Sequence, residues 1–172
     1  LELDIELLHS SLESPIVTTV GSIGEVYPDV VDATGGTTVI DRTIGGQAYR
    51  IHAFENTGND TFFVNRVPPA ASVDVLIVGG GGGGGGSPHG AGGGAGGVLE
   101  QQNHSISEGS HEVHVGSGGD GSPGSAGDNY KRTGDWPDHG KSGENGRNST
   151  FSGLTALGGG GGGMYNEGGG SN

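Results

Sequence analysis

Val73-Asp74-Val75-Leu76-Ile77-Val78 runs without interruption into residues 79–86, eight consecutive glycines. The six residues are the most apolar stretch of the chain and read as a strand. A strand entering a glycine turn is how a dinucleotide-binding fold begins, and Glu100 stands at a plausible distance for a ribose contact. That fold also needs a helix directly after the glycines. Residues 81–97 read GGGGGGSPHGAGGGAGG, with 12 glycines and one proline in 17 positions. Each glycine costs a helix about 0.8–1 kcal/mol relative to alanine, so a helix here forfeits roughly 10 kcal/mol. No apolar stripe offsets that loss. No Gly-Lys-Ser/Thr follows the tract, which removes the P-loop as well.

The glycine tract therefore reads as extended. Polyproline II geometry suits it: three residues per turn, a rise of about 3.1 Å and no internal hydrogen bonds. Its N–H and C=O groups then point outward and need partners. Without Cβ atoms, neighbouring glycine rods can approach closely enough to supply them. The sequence repeats the arrangement. His111-Glu112-Val113-His114-Val115 leads into Gly116 and a glycine-rich stretch, and Leu154-Thr155-Ala156-Leu157 leads into glycines 158–163. No collagen-like Gly-X-Y period runs through these blocks.

Composition supports an unusual core. The chain has 172 residues, 42 of them glycine, and only 29% are hydrophobic. Such values would suit a disordered chain, but the glycines come in blocks opened by β-type residues rather than dispersed as in a linker. There is no cysteine, so neither disulfides nor thiolate metal sites arise. The net charge of −13 disfavours nucleic acid and anionic membranes as partners. No apolar run reaches the length of a membrane-inserted helix. The sequence begins at Leu1 and ends within a glycine block, which reads as a piece of a longer protein.

Three regions are expected. Residues 1–34 form an acidic extended arm, with seven Asp or Glu and no Lys or Arg before residue 33. Leu1, Leu3 and Ile5 alternate with Glu2, Asp4 and Glu6, a strand with one face to bury. Residues 35–70 form a small β-domain read as a meander: a strand over Thr37–Ile40, a type I′ turn at Gly45-Gly46, a strand over Gln47–Phe54, a turn over Glu55–Asn59 and a third strand over Thr61–Val64. Residues 71–172 form the glycine-rich domain. The fold class is thus all-β plus polyglycine II, a small β-sandwich followed by a bundle of extended glycine-rich rods.

These segments, together with His89 through Gly97, Asn145 through Phe151 and the upstream run Ile44 through Phe54, resemble the glycine-rich domains of bacteriophage tail-fibre adhesins. The resemblance covers roughly residues 35–172. It implies polyglycine II rods packed together, inter-rod loops that recognise a host receptor, and an extracellular place on a virion. Similar glycine-rich regions occur in animal receptor ectodomains.

The candidate recognition loop is Asp128 to Ser149, which holds the single tryptophan. Its candidate contact residues are Tyr130, Lys131, Arg132, Trp136, Asp138 and His139, since flat aromatic rings suit sugar faces and protein partners. Trp136 serves equally well packed over the rod ends. Two further inter-rod loops offer His89, and Tyr165 with Asn166, and could share a tip with the first. The expected partners are a host surface glycan or outer-membrane protein, and other fibre subunits. The alternative is a structural subunit of a cell-surface filament, assembled through its N-terminal strand.

No enzyme is expected. His111 and His114 lie three apart on a strand and point to opposite faces, which does not make a shared zinc site. Asp120 and Asp128 stand among glycines without a calcium-loop pattern. No carboxylate pair is set face to face and no G-x-S-x-G elbow occurs. Neither cofactor nor metal is expected. Sequons at Asn59, Asn103 and Asn148 are what chance supplies in a chain so rich in Asn, Ser and Thr.

Overall fold

A computed structural model describes residues 5–11 as backbone, and residues 31–86, 90–122 and 141–163 in full apart from the side chain of Gln47. Ten strands and no helix make up these residues: β1 (Ile5–Ser11), β2 (Asp32–Thr34), β3 (Thr38–Ile44), β4 (Gln47–Phe54), β5 (Gly58–Arg66), β6 (Val73–Val78), β7 (Val98–His104), β8 (Gly109–Val115), β9 (Ser149–Phe151) and β10 (Leu154–Ala156). The protein is all-β. One sheet has the order β3-β4-β1-β6-β7 and the other β10-β9-β8-β5-β2. The pairings of β1 with β4 and β6, of β3 with β4, and of β5 with β2 and β8 are antiparallel.

The chain forms two compact units that alternate along the sequence. One comprises residues 1–77, 99–115 and 151–154; the other comprises residues 78–98, 116–150 and 155–172. The first is the β-unit. Its β6 shows the expected alternation, with Val73, Val75 and Ile77 buried and the residues between them half-buried. Gly45 and Gly46 have φ of 60° and 89°, and Ile44 pairs with Gln47, so β3 and β4 are joined by the two-residue turn that the glycine pair announces.

The expected meander breaks after β4. β5 joins the second sheet between β8 and β2 instead of pairing with β4. It also starts earlier than expected, at Gly58, because its register with β8 extends from Gly58↔Val115 to Val64↔Gly109. The physical reason lies in the aromatic core. Phe62 of β5 meets His52 and Phe54 of β4 edge to face, with ring centroids 5.1 and 6.3 Å apart, and Phe151 of β9 at 6.0 Å. Packing across the core, rather than beside β4, buries all three phenylalanines almost completely.

His52 is the polar member of this core, with 2% of its surface exposed. Its Nδ1 lies 2.9 Å from the Gly35 carbonyl oxygen, which fixes the proton on Nδ1. Its Nε2 is buried with no partner. Burial therefore holds the imidazole below its ordinary pKa, outweighing the Gly35 hydrogen bond that acts in the opposite direction. The unfolded chain binds a proton at His52 below about pH 6.5, where the folded chain still resists it. Stability is thus complete above that pH and declines as pH falls through the window between the two pKa values. Thermal midpoints measured from pH 7.5 to 5 should show this decline, with a slope of at most about 1.4 kcal/mol per pH unit from this residue. The His52→Gln variant should give a flatter profile, and an equal slope would clear His52 of the effect.

Candidate functional site

Among the described residues, the second unit holds five glycine-rich segments: residues 79–86, 90–97, 116–122, 141–148 and 157–163, taken as the first to fifth. None has helical or strand hydrogen bonding, yet their amides are ordered by bonds that leave each segment for a neighbour. Gly79, Gly82 and Gly85 donate to the carbonyls of Gly97, Gly94 and Ala91 on the second segment, each at 2.8 Å. Gly80, Gly83 and Gly86 donate to Arg147, Glu144 and Lys141 on the fourth. Gly119 and Ser122 of the third, and Gly159 and Gly162 of the fifth, donate in turn to carbonyls of the first. The outer segments join one another by the same three-residue step. Ala91, Gly94 and Gly97 donate to Gly163, Gly160 and Leu157, and Glu144 and Arg147 to Asp120 and Ser117. A strand would repeat every two residues and a helix would bond to itself.

This period explains where glycine is compulsory. A Cβ on Gly79, Gly82 or Gly85 would collide with backbone of the fifth segment, and one on Gly80 or Gly83 with the third. At Gly81 and Gly84 the nearest atoms would be 3.7 and 3.8 Å away, ordinary contact. The first segment, bonded to all four others, thus needs glycine at two positions in three. The second needs it at Gly90, Gly93 and Gly96, and the fourth at Gly143 and Gly146, one position in three. Both carry side chains at other positions.

The fourth segment corrects the expected recognition loop. Residues 141–148 belong to the bundle rather than to a free loop, and the signal was local: Gly140, Gly143 and Gly146 recur every third residue. Sequence reasoning also missed a role for asparagine. Asn148 and Asn145 offer side-chain Oδ1 atoms to the amides of Gly158 and Gly161, at 2.9 and 2.7 Å. Two asparagines three residues apart therefore stand in for backbone carbonyls. Ser149 Oγ does the same for Gly116, and Ser122 Oγ for Lys141.

The nine candidate contact residues, His89, Tyr130, Lys131, Arg132, Trp136, Asp138, His139, Tyr165 and Asn166, lie outside the described residues. Their anchoring points do not. Gly86 donates to Lys141 at 3.0 Å, Lys141 to Ser122 Oγ at 3.0 Å, Ser122 to Gly84 at 2.9 Å, Gly85 to Ala91 at 2.8 Å and Ala91 to Gly163 at 2.9 Å. The residues from which the chain leaves for 87–89, for 123–140 and for 164 onward are thus gathered at one end of the bundle.

Among the described residues, no group of three or more His, Cys, Asp or Glu is placed to hold a metal ion. The two histidines of β8 have separate partners: His111 Nε2 contacts the Ser107 carbonyl oxygen at 2.7 Å, and His114 Nδ1 contacts Asn59 Oδ1 at 2.5 Å. Asp120 contributes its backbone carbonyl to the bundle.

Fold and site together define an all-β protein in which glycine segments are bonded through their backbones. The family model described as a glycine-rich domain matches residues 55–172, and the chain belongs to that family. No curated protein and no solved structure matches it.

Alanine at Gly82 or Gly83 should therefore destabilise the bundle by about 1–3 kcal/mol or more, the range of overpacked sites. Alanine at Gly160, where a Cβ meets nothing within 4 Å, should leave it intact and gain about 0.4–1 kcal/mol by restricting the unfolded chain. Denaturant midpoints of the three variants check this contrast. Equal effects at Gly82 and Gly160 would contradict the packing described.

Proposed function

We propose that the five segments are polyglycine II rods, that the β-unit is a small sandwich, and that the whole is a non-enzymatic adhesin module. Its work is to hold loops at one end of a stiff bundle so that they meet a receptor on a host surface, as in a viral tail fibre. What supports the rod reading is the three-residue period of bonds that leave each segment in several directions, with no Cβ between the backbones. What supports the sandwich is the meeting of Phe62 with His52 and Phe54 across strands of two different sheets.

The observation that carries the recognition reading is the gathering of the loop anchors at one end of the bundle. Binding loops borne on rigid scaffolds are a common arrangement. Here the sequence leaving those anchors is rich in groups suited to it: Tyr130, Lys131, Arg132, Trp136, Asp138 and His139 from one loop, His89 from another, Tyr165 and Asn166 from the last. The partner is a glycan or a protein of an outer membrane, met outside the cell. The net charge of −13 turns the protein away from nucleic acid and from insertion among anionic lipids.

Fluorescently labelled protein should bind a glycan array or outer-membrane vesicles in a saturable manner. The Trp136→Ala, Tyr130→Ala double variant should lose about 30-fold or more in affinity, the scale of an interface hot spot, at an unchanged thermal midpoint. Undiminished binding by the double variant would remove this loop from the site.

A further inference from the structure

The N-terminal strand occupies an unusual place. β1 is the central strand of its sheet, with β4 on one side and β6 on the other. It pairs with β4 over seven residues, from Ile5↔Phe54 to Ser11↔Ala48, and with β6 over four, from Glu6↔Leu76 to His9↔Val73. β4 and β6 share no ladder with each other. Lift β1 out and a slot about 9.5 Å wide, two strand spacings, opens between two facing edges. The residues lining it are among the most buried of the protein: His52, Ala53 and Phe54 of β4, and Val73 and Val75 of β6. An empty slot would leave both rows of amides and carbonyls unpaired beside that apolar core, so a strand has to fill it.

Nothing in the pairing requires that strand to come from the same chain. A second copy's β1 would make the same ladder in the same register, because the slot is the same in every copy. On its C-terminal side β1 is joined to the described residues through residues 12–30. A connection of that length has a covalent reach of up to about 60 Å, far beyond what a tight hairpin would allow. The free-energy difference between filling the slot in cis and in trans is then set by concentration and tether length rather than by contacts.

We propose that the slot between β4 and β6 is an assembly site for a second copy of this chain, which inserts its own β1 there by strand exchange. This rests on the structural-subunit reading of the N-terminal strand and makes it specific: the acceptor is an internal slot rather than an open sheet edge. One-way donation links copies into an open chain, whereas reciprocal donation closes a dimer.

The chain has no cysteine, so engineered pairs report the exchange cleanly. Ser10↔Tyr49 and Ser11↔Ala48 are successive register partners. Successive antiparallel pairs alternate between narrow and wide types, so one of the two suits a disulfide. Full-length S10C is mixed with full-length Y49C, and S11C with A48C, at high protein concentration, refolded together and oxidised. Exchange predicts a covalent heterodimer from at least one matched mixture and none from the mismatched mixture of S10C with A48C, positions one residue out of register in the ladder. Matched mixtures that stay monomeric would overturn the proposal, whether the S10C/Y49C and S11C/A48C double variants close within one chain or form no disulfide at all. The mass of the oxidised double variants separates this from the filament reading. A ladder of higher species supports both, and a closed dimer supports exchange while removing the filament.

Discussion

Close approach of one backbone to another, with no side-chain atom between, is the constraint on which the second unit depends. In an ordinary core, side chains fill the space and the backbone satisfies itself within strands and helices. Here the amides of Gly79, Gly80, Gly82, Gly83, Gly85 and Gly86 find their acceptors on other segments, and those segments come near enough only because a Cβ at Gly79, Gly80, Gly82, Gly83 or Gly85 is absent. The bonds recur every third residue, so each segment presents separate faces to separate neighbours. Glycine is compulsory at two positions in three of the first segment, which is bonded to all four others, and at one in three of the second and fourth.

The cost of this arrangement is entropic, since glycine gives up more conformational freedom on ordering than any other residue. The sequence limits that cost where it can. The second, third and fourth segments carry Ala91, Ala95, Ser117, Asp120, Glu144 and Arg147 at positions the packing leaves open. Apolar strands precede the first, third and fifth segments in the chain, so each begins from a residue already held in a ladder: Val78, Val115 and Ala156. The aromatic cluster of Phe54, Phe62 and Phe151 gives the β-unit a conventional hydrophobic core of its own.

Much of this was legible in the sequence because it rests on local rules. The alternation of Val73, Val75 and Ile77, the two-residue turn at Gly45-Gly46 and the exclusion of a helix after Val78 all follow from residues close together in the chain. What escaped was non-local. The departure of β5 to the second sheet depends on Phe62 finding Phe54 and Phe151, separated by 8 and 89 positions. The insertion of β1 between β4 and β6 pairs it with strands more than 35 residues away, which no local period announces. The fourth segment was hidden by its own side chains: with Lys141, Glu144 and Arg147 it resembles a charged loop, and only the triplet spacing of Gly143 and Gly146 betrays its contact. The residues expected to bind a receptor lie outside the described residues, so the sequence offered the candidates while the structure places the segment ends from which they depart.

Amide hydrogen exchange, followed residue by residue by NMR, tests the three-residue bonding most directly. Along residues 79–86, Gly79, Gly80, Gly82, Gly83, Gly85 and Gly86 should be protected, and Gly81 and Gly84 should exchange fast. In residues 90–97, protection should fall on Ala91, Gly94 and Gly97 alone. Uniformly fast exchange, or protection that alternates every second residue, would contradict a bundle held together in this way.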